Sequence, residues 1–363
     1  MSNEKTFKEV AVRYLAKPTK KLGRAKNQNA FSCLEWMYER RPSMILIEGR
    51  KKPVPYGPKN RLRSHTVVSW DDSSGRFADM AMKDIGNLQV EDMQIALQNA
   101  KGLSNCGVNT FLVYLRAVCN YARDKLDVSF VKFPKIETLT TEGREYYLTP
   151  AVAKGWMRFL DPLRLDMVKF GLATGQRKAN IVGLKWAWVS KDHTRMVIPA
   201  VDAKNGCSHT IHLNSMAVEV LNKRKEDRAR MVAEYPRLAN VEYVFVQEDR
   251  QHLGQPMQGT SMTGYMWKRS IRMYNKNVKW QAERKGKPVD EEKLIPDDDN
   301  SREGKLVFHT LRHSFATWLN EAGTDLDDIA MVGGWKSLDA CRRYVKKSDR
   351  RAREVGARLE GLF

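Results

Sequence analysis

The sequence predicts a mostly α-helical protein of two domains, a small helical one followed by a larger one that mixes helices with short strands. Three observations predict it. A chain of 363 residues is long enough to bury two separate cores. Helical periodicity governs the start of the chain and is lost between Phe133 and Glu145, where Pro134 and a run of threonines stand. Beyond that stretch helical patterns alternate with β-rich runs, and one pair of runs flanks Asn205-Gly206, the strongest short hairpin signal. The expected domains are residues 1–142 and 143–363.

The first helix opens on a capping box of Thr6 and Glu9, and Phe7, Val10, Ala11, Tyr14 and Leu15 share one face. A basic region punctuated by Pro and Gly follows from Lys17 to Arg63. The middle of that region, Glu48 to Pro58, reads as a loop or extended arm, and a basic insertion is placed at about 40–70. A second amphipathic pattern starts near Val90. A third predicts Asn109 as its cap, with Leu112, Leu115, Cys119 and Ala122 inward and Arg116, Arg123 and Lys125 outward. Thr149-Pro150 begins the next helix with a cap and a first-turn proline. Strands are expected at Arg195 to Pro199, Thr210 to Leu213 and Tyr243 to Val246. Arg284 to Gly304, centred on Asp297-Asp298-Asp299, reads as a solvated loop. The chain closes on a helical pattern, Ser348 to Phe363, that aligns Val355, Leu359, Leu362 and Phe363.

There are 63 Lys plus Arg against 43 Asp plus Glu, a formal charge of +20. Such an excess implies a polyanionic partner, because neutralising phosphates releases condensed counterions. Ribosomal and membrane-surface proteins share the balance, so charge alone does not choose among them. No stretch approaches the roughly 18 consecutive apolar residues of a membrane span, and Met1-Ser2-Asn3-Glu4-Lys5 is too polar for a signal peptide. Cys33, Cys106, Cys119, Cys207 and Cys341 are scattered, odd in number and without CxxC spacing, which suits reduced thiols in the cytoplasm.

The chemistry is concentrated in an ordered set: Arg177, Lys204, His309, Arg312, Trp335 and Tyr344. Two arginines offer planar forks of donors that keep their charge and suit the non-bridging oxygens of a phosphodiester. Tyr344 supplies an oxygen nucleophile, and a phenol with a pKa of about 10 needs the help that nearby Arg charge and His309 would provide. His309, Arg312 and His313 stand at i, i+3 and i+4 and share one side of a helix. A pair of histidines four apart is also a zinc half-site, but Ser314 follows His313 and no cysteine or glutamate completes a ligand set. His309 is therefore assigned to the site and His313 to the buried framework. Gly333-Gly334 ends a helix and presents Trp335, whose indole N–H is a donor, while Ser337 is expected to cap the helix carrying Tyr344.

Ala173-Thr174-Gly175-Gln176-Arg177, then Gly183-Leu184-Lys185-Trp186, His309-Thr310-Leu311-Arg312-His313 and Gly333-Gly334-Trp335, with Tyr344 nine residues later, resemble the tyrosine recombinases of the phage-integrase family. The resemblance runs through the second half of the chain. It is loose in the first half, where Thr6-Phe7-Lys8-Glu9-Val10-Ala11 matches best and the basic insertion departs. It implies an N-terminal helical DNA-binding domain and a C-terminal catalytic domain that together clamp duplex DNA, and a site-specific recombinase of a prophage or genomic island working through a 3′-phosphotyrosine. It further implies Lys204 as proton donor to the leaving 5′ oxygen, with Lys178 and Lys185 as competitors. Tryptophan is a known alternative to the family's usual histidine at position 335. Asn180 stands where the family commonly has an acidic residue. No cofactor or metal is expected, in keeping with the absence of a Walker loop or Rossmann glycine motif. The implied partners are attachment-site DNA, a homo-tetramer joined through C-terminal tails, and DNA-bending accessory proteins. A type IB topoisomerase and a non-catalytic DNA-binding regulator remain open as alternatives.

Overall fold

The computed structural model describes residues 5–16, 28–47, 52–55, 65–100, 102–141, 146–202, 207–257, 262–296, 306–344 and position 357. The chain divides into two compact units, Met1–Glu142 and Gly143–Phe363. Among the described residues no helix is long and apolar enough to cross a membrane.

The first unit is built on α1 (Phe7–Ala16), α2 (Gln28–Tyr38), α3 (Asn87–Ile95) and α4 (Asn105–Leu126). The Thr6/Glu9 box forms in both directions, at 2.9 and 3.3 Å, and satisfies two backbone donors at the start of α1. Phe7, Val10, Ala11 and Leu15 are buried with Leu34 and Met37 of α2 and Leu112, Leu115, Cys119 and Ala122 of α4. Edge-to-face rings tighten this core: Phe7 on Phe77 at 5.4 Å and Trp36 on Phe111 at 5.3 Å.

Two expectations need correction here. The cap of α4 is Ser104, whose Oγ accepts from Gly107 N at 3.4 Å. Asn109 lies one turn inside the helix, and its amide makes a two-way pair with the Leu139 backbone, at 2.8 and 2.7 Å. Arg116 donates to the Ile136 carbonyl, and the Arg123 guanidinium lies 4.4 Å over the Phe133 ring. Polar residues of α4 thus hold the aperiodic stretch after Phe133 against the unit. The second lies in the basic insertion, where Val54–Pro55, inside the stretch expected as a loop or extended arm, is a short strand of a three-stranded antiparallel sheet. Its strands β1 (Arg41–Ile47), β2 (Val54–Pro55) and β3 (His65–Asp71) run in the order β2-β1-β3, with Leu46 opposite Thr66. Ile45 and Ile47 are buried while Leu46 faces out, the two-residue alternation of a half-buried strand. Trp36 Nε1 donates to Asp71 Oδ2 at 3.0 Å, which ties β3 to α2.

The second unit begins at α5 (Pro150–Met157), capped by Thr149 as its sequence predicts. At its centre is α6 (Pro162–Thr174), buried along most of its length through Leu163, Met167, Val168, Phe170 and Leu172. A short α7 (Lys178–Val182) follows, then a hairpin of β4 (Arg195–Ile198) and β5 (His209–His212), which pairs Ile198 with His209 and Arg195 with His212. Helices α8 (Ser215–Glu234) and α9 (Tyr265–Arg284) come next. Trp156 of α5 packs edge-on against Trp267 of α9 at 4.8 Å. Tyr243 to Val246 is not a strand. Isolated bridges Lys185–Tyr243 and Val246–Pro256 replace it, since Val244, Phe245 and Val246 are buried without a continuous ladder. The 284–304 segment is also more anchored than expected, for Ile295 is buried and its backbone pairs with the Asn275 amide at 2.7 and 2.9 Å. Asp297-Asp298-Asp299 lies outside the described residues.

The remaining helices are α10 (Phe308–Glu321), α11 (Leu326–Gly333) and α12 (Leu338–Arg342). Between them sits a separate apolar cluster of Phe315, Ala316, Ile329, Ala330, Trp335 and Cys341, with Tyr344 packed at its edge.

Candidate active site

Arg177 is positioned by the way α6 stops. Gly175 closes that helix in the left-handed conformation, φ 61°, and a side chain there would collide with the Phe315 ring. The chain turns at once, so Arg177 becomes the N-cap of α7. Gln176 is buried beneath it, donating to Thr174 O at 3.2 Å and accepting from Asn180 Nδ2 at 3.1 Å. Asn180, the departure from the family pattern, braces the turn that carries Arg177.

Arg312 on α10 is only 1 % exposed. Its Nη1 donates to Gly175 O at 2.6 Å and Gly333 O at 2.7 Å, so one nitrogen joins the end of α6 to the end of α11. Its Cζ lies 3.5 Å from the Trp335 ring centroid, an indole face beneath a cation. The other two nitrogens, Nε and Nη2, are buried with no hydrogen-bond partner. Burial first, and the like charge of Arg177 second, push the Arg312 guanidinium down to about 9. A pair of cations held this way is stabilised by whatever anion reaches the unused donors.

His309, on the same helix, places Nε2 3.0 Å from the phenolic oxygen of Tyr344. Three rings surround that phenol: His309 at 5.3 Å, His313 at 4.6 Å and Trp335 at 5.2 Å between centroids. His313, expected in the framework, is half-buried and packs on Tyr344 itself. Backbone bonds fix the tyrosine from behind, Tyr344 N to Cys341 O at 2.8 Å and Thr317 Oγ1 to Tyr344 O at 3.2 Å. Ser337 caps α12 through Ala340 N at 3.2 Å. Trp335 is buried and its Nε1 is a further donor without a partner. Gly333 is required because a Cβ there would occupy the indole's place.

The structure therefore brings Arg177, His309, Arg312, Trp335 and Tyr344 into one neighbourhood. Lys204 and the Asn205-Gly206 turn lie outside the described residues. Of its competitors, Lys185 is held by Glu242 at 2.9 Å, which raises its pKa, and Lys178 opens α7 beside Arg177. Sequence reasoning missed His209 on β5. It sits against Gly334 and within the fields of Arg312 and Arg177. Its only advance signal was its position five residues beyond Lys204, just ahead of the strand expected from Thr210.

The chain and its fold match known proteins. The family model described as the phage integrase family matches residues 147–351, more than half of the chain, and the chain belongs to that family. A curated relative, the integrase of Salmonella phage P22, is 25 % identical over 264 residues, covering 70 % of this chain and 57 % of the relative. The match thus spans less than two thirds of that relative's length. Among solved structures, the Tn1549 transposon integrase in complex with transposon right end DNA aligns with a TM-score of 0.61 at 14 % identity. That alignment covers 98 % of this chain and 100 % of the other. A lambda integrase dimer bound to a COC′ core site aligns at 0.53 and 16 % identity, covering 75 % and 83 %. At such identities these two likenesses establish the fold.

Proposed function

We propose that this protein is a site-specific DNA recombinase, the integrase of a prophage or genomic island, that cuts and rejoins strands through Tyr344. The observation that carries the reading is the 3.0 Å contact of Tyr344 Oη with His309 Nε2 beside the unused donors of Arg312. The phenol oxygen attacks the scissile phosphorus, forming the Oη–P bond while the bond from phosphorus to the 5′ oxygen breaks. The phenolic proton passes to His309 Nε2, and the leaving 5′ oxygen takes a proton from Lys204. Arg177 and Arg312, with Trp335 Nε1, hold the non-bridging oxygens and offset the charge that develops on them. A 5′-hydroxyl of another strand then attacks the 3′-phosphotyrosine and reverses each bond change. Phosphodiester energy is kept in the protein–DNA link, so neither nucleotide hydrolysis nor a metal ion has a necessary role.

The first unit supplies additional DNA-binding surface, in keeping with the net charge of +20. Recombination between two duplexes calls for four protomers, and the tail at Val355 to Phe363 is the segment to join them. Accessory DNA-bending proteins would act at this stage. The test uses nicked suicide duplexes carrying the attachment site, followed by paired sites on separate duplexes. A covalent adduct and strand transfer between sites are expected. Relaxation of supercoils without transfer would make the protein topoisomerase-like, and binding without an adduct would leave it a regulator.

A further inference from the structure

His209 is a half-buried histidine of the second unit to which the reading above gives no task. It projects from β5 toward the turn that presents Trp335, and Gly334 is what makes room for it. Gly334 has φ 68°, and any Cβ at that position would overlap His209 Nε2. The buried Nε2 has no hydrogen-bond partner. A buried polar atom left unsatisfied is destabilising, so its persistence calls for a partner that comes from outside the chain. Two charges act on the ring, those of Arg312 and Arg177, and with burial, the larger cause, they hold its pKa below the ordinary value. Both guanidinium groups belong to the proposed phosphate clamp. Three side chains from three elements thus crowd one place: Arg177 from the start of α7, Arg312 from α10 and His209 from β5.

We propose that His209 is a further catalytic residue of this site, donating from Nε2–H to a non-bridging oxygen of the scissile phosphate alongside Arg177 and Arg312. A neutral imidazole suits the place better than a third guanidinium. It adds a donor without adding a third like charge before the DNA arrives. Bound to the phosphate, the donor is satisfied and strengthens as negative charge grows on the oxygen in the transition state. No bond to carbon or phosphorus is made or broken by His209, and its proton stays on the ring.

This inference rests on the recombinase reading, and the experiment separates the two. Adduct formation is measured at saturating DNA for the wild type, His209→Ala and His209→Gln. Suicide duplexes carry either an ordinary scissile phosphate or a methylphosphonate of each configuration, in which one non-bridging oxygen is replaced by methyl. On the ordinary phosphate, His209→Ala should lose about 100-fold in rate, the usual cost of one such donor. His209→Gln, which keeps an N–H donor, should recover part of the loss. With one methylphosphonate isomer the wild type and His209→Ala should become equal, because the oxygen that His209 contacts is gone. An equal loss on all three substrates would make His209 structural and overturn the inference. So would full activity of His209→Ala on the ordinary phosphate. Failure of the wild type to form any adduct would overturn the recombinase reading itself.

Discussion

Nε2 of His309 and the phenolic oxygen of Tyr344 lie 3.0 Å apart although 35 positions separate them in the chain. The contact joins α10 to the segment after α12, and the rings of His313 and Trp335 restrict the phenol on either side. A phenol confined this way loses little freedom when it attacks, which is the main benefit of holding a nucleophile in place. Tyr344→Phe should therefore bind duplex DNA as the wild type does and form no covalent adduct on a nicked substrate. An adduct that persists in this variant, seen as a slow-migrating band in denaturing gels, would show that another residue attacks.

His309→Ala should retain DNA binding and lose roughly 10²- to 10⁴-fold in cleavage rate, the range for removal of a general base. The loss should shrink as pH rises and hydroxide takes over the proton. A pH-independent deficit in single-turnover cleavage would instead assign His309 to hydrogen-bond donation alone.

Replacing Arg177 or Arg312 by Lys should lower cleavage by about 100-fold or more, since a point charge cannot offer two parallel donors. The Arg312 change should also lower stability, because Nη1 ties Gly175 O to Gly333 O. Cleavage by the wild type should continue in excess EDTA. Loss on chelation with recovery on adding a divalent ion would contradict the charge role given to the arginines.

The pH dependence of stability should carry a trace of His209. Its folded pKa is depressed below the ordinary 6.5 by burial, Arg312 and Arg177. The unfolded chain therefore takes up this proton first as pH falls. The native state is unpenalised above about 6.5 and loses stability below it until the folded group also titrates. Urea denaturation between pH 8 and pH 5, values chosen to bracket the histidine range, should show the wild type losing more stability than His209→Gln. Parallel pH profiles would refute the shift.

Asp166 on α6 is 2 % exposed and accepts from Lys223 at 2.8 Å and from Arg224 of α8 at 3.3 Å. Arg224 is itself 1 % exposed and reaches Glu248 at 2.5 Å. Asp166→Ala leaves buried positive charge short of a partner and should cost about 3 kcal/mol, read as a lower urea midpoint. A change below about 0.5 kcal/mol, the usual size for surface sites, would mean that Glu248 and Asp227, 3.1 Å from Arg224 Nη1, suffice.

The sequence by itself determined the local features and the kind of chemistry. The capping box of Thr6 and Glu9, the Thr149-Pro150 start and the stripe of Leu112, Leu115, Cys119 and Ala122 follow from helix geometry within a few residues. So does the shared face of His309, Arg312 and His313, because a spacing of three and four is one helical turn. Arg177 and Tyr344 were legible through short motifs at set distances from glycines. The tertiary structure decided what depends on residues far apart. The pairing of β1 with β3 joins Leu46 to Thr66 across the basic insertion. Asn109 was misread as a cap because its partner, Leu139, is 30 residues away. The same holds for the electrostatics of the site. Burial of Arg312, the unpaired Nε2 of His209 and the like charge of Arg177 are sums over neighbours from α6, α7, α10, α11 and β5. No window of sequence contains those neighbours together, so only the packed chain sets which donors are left to meet a phosphate.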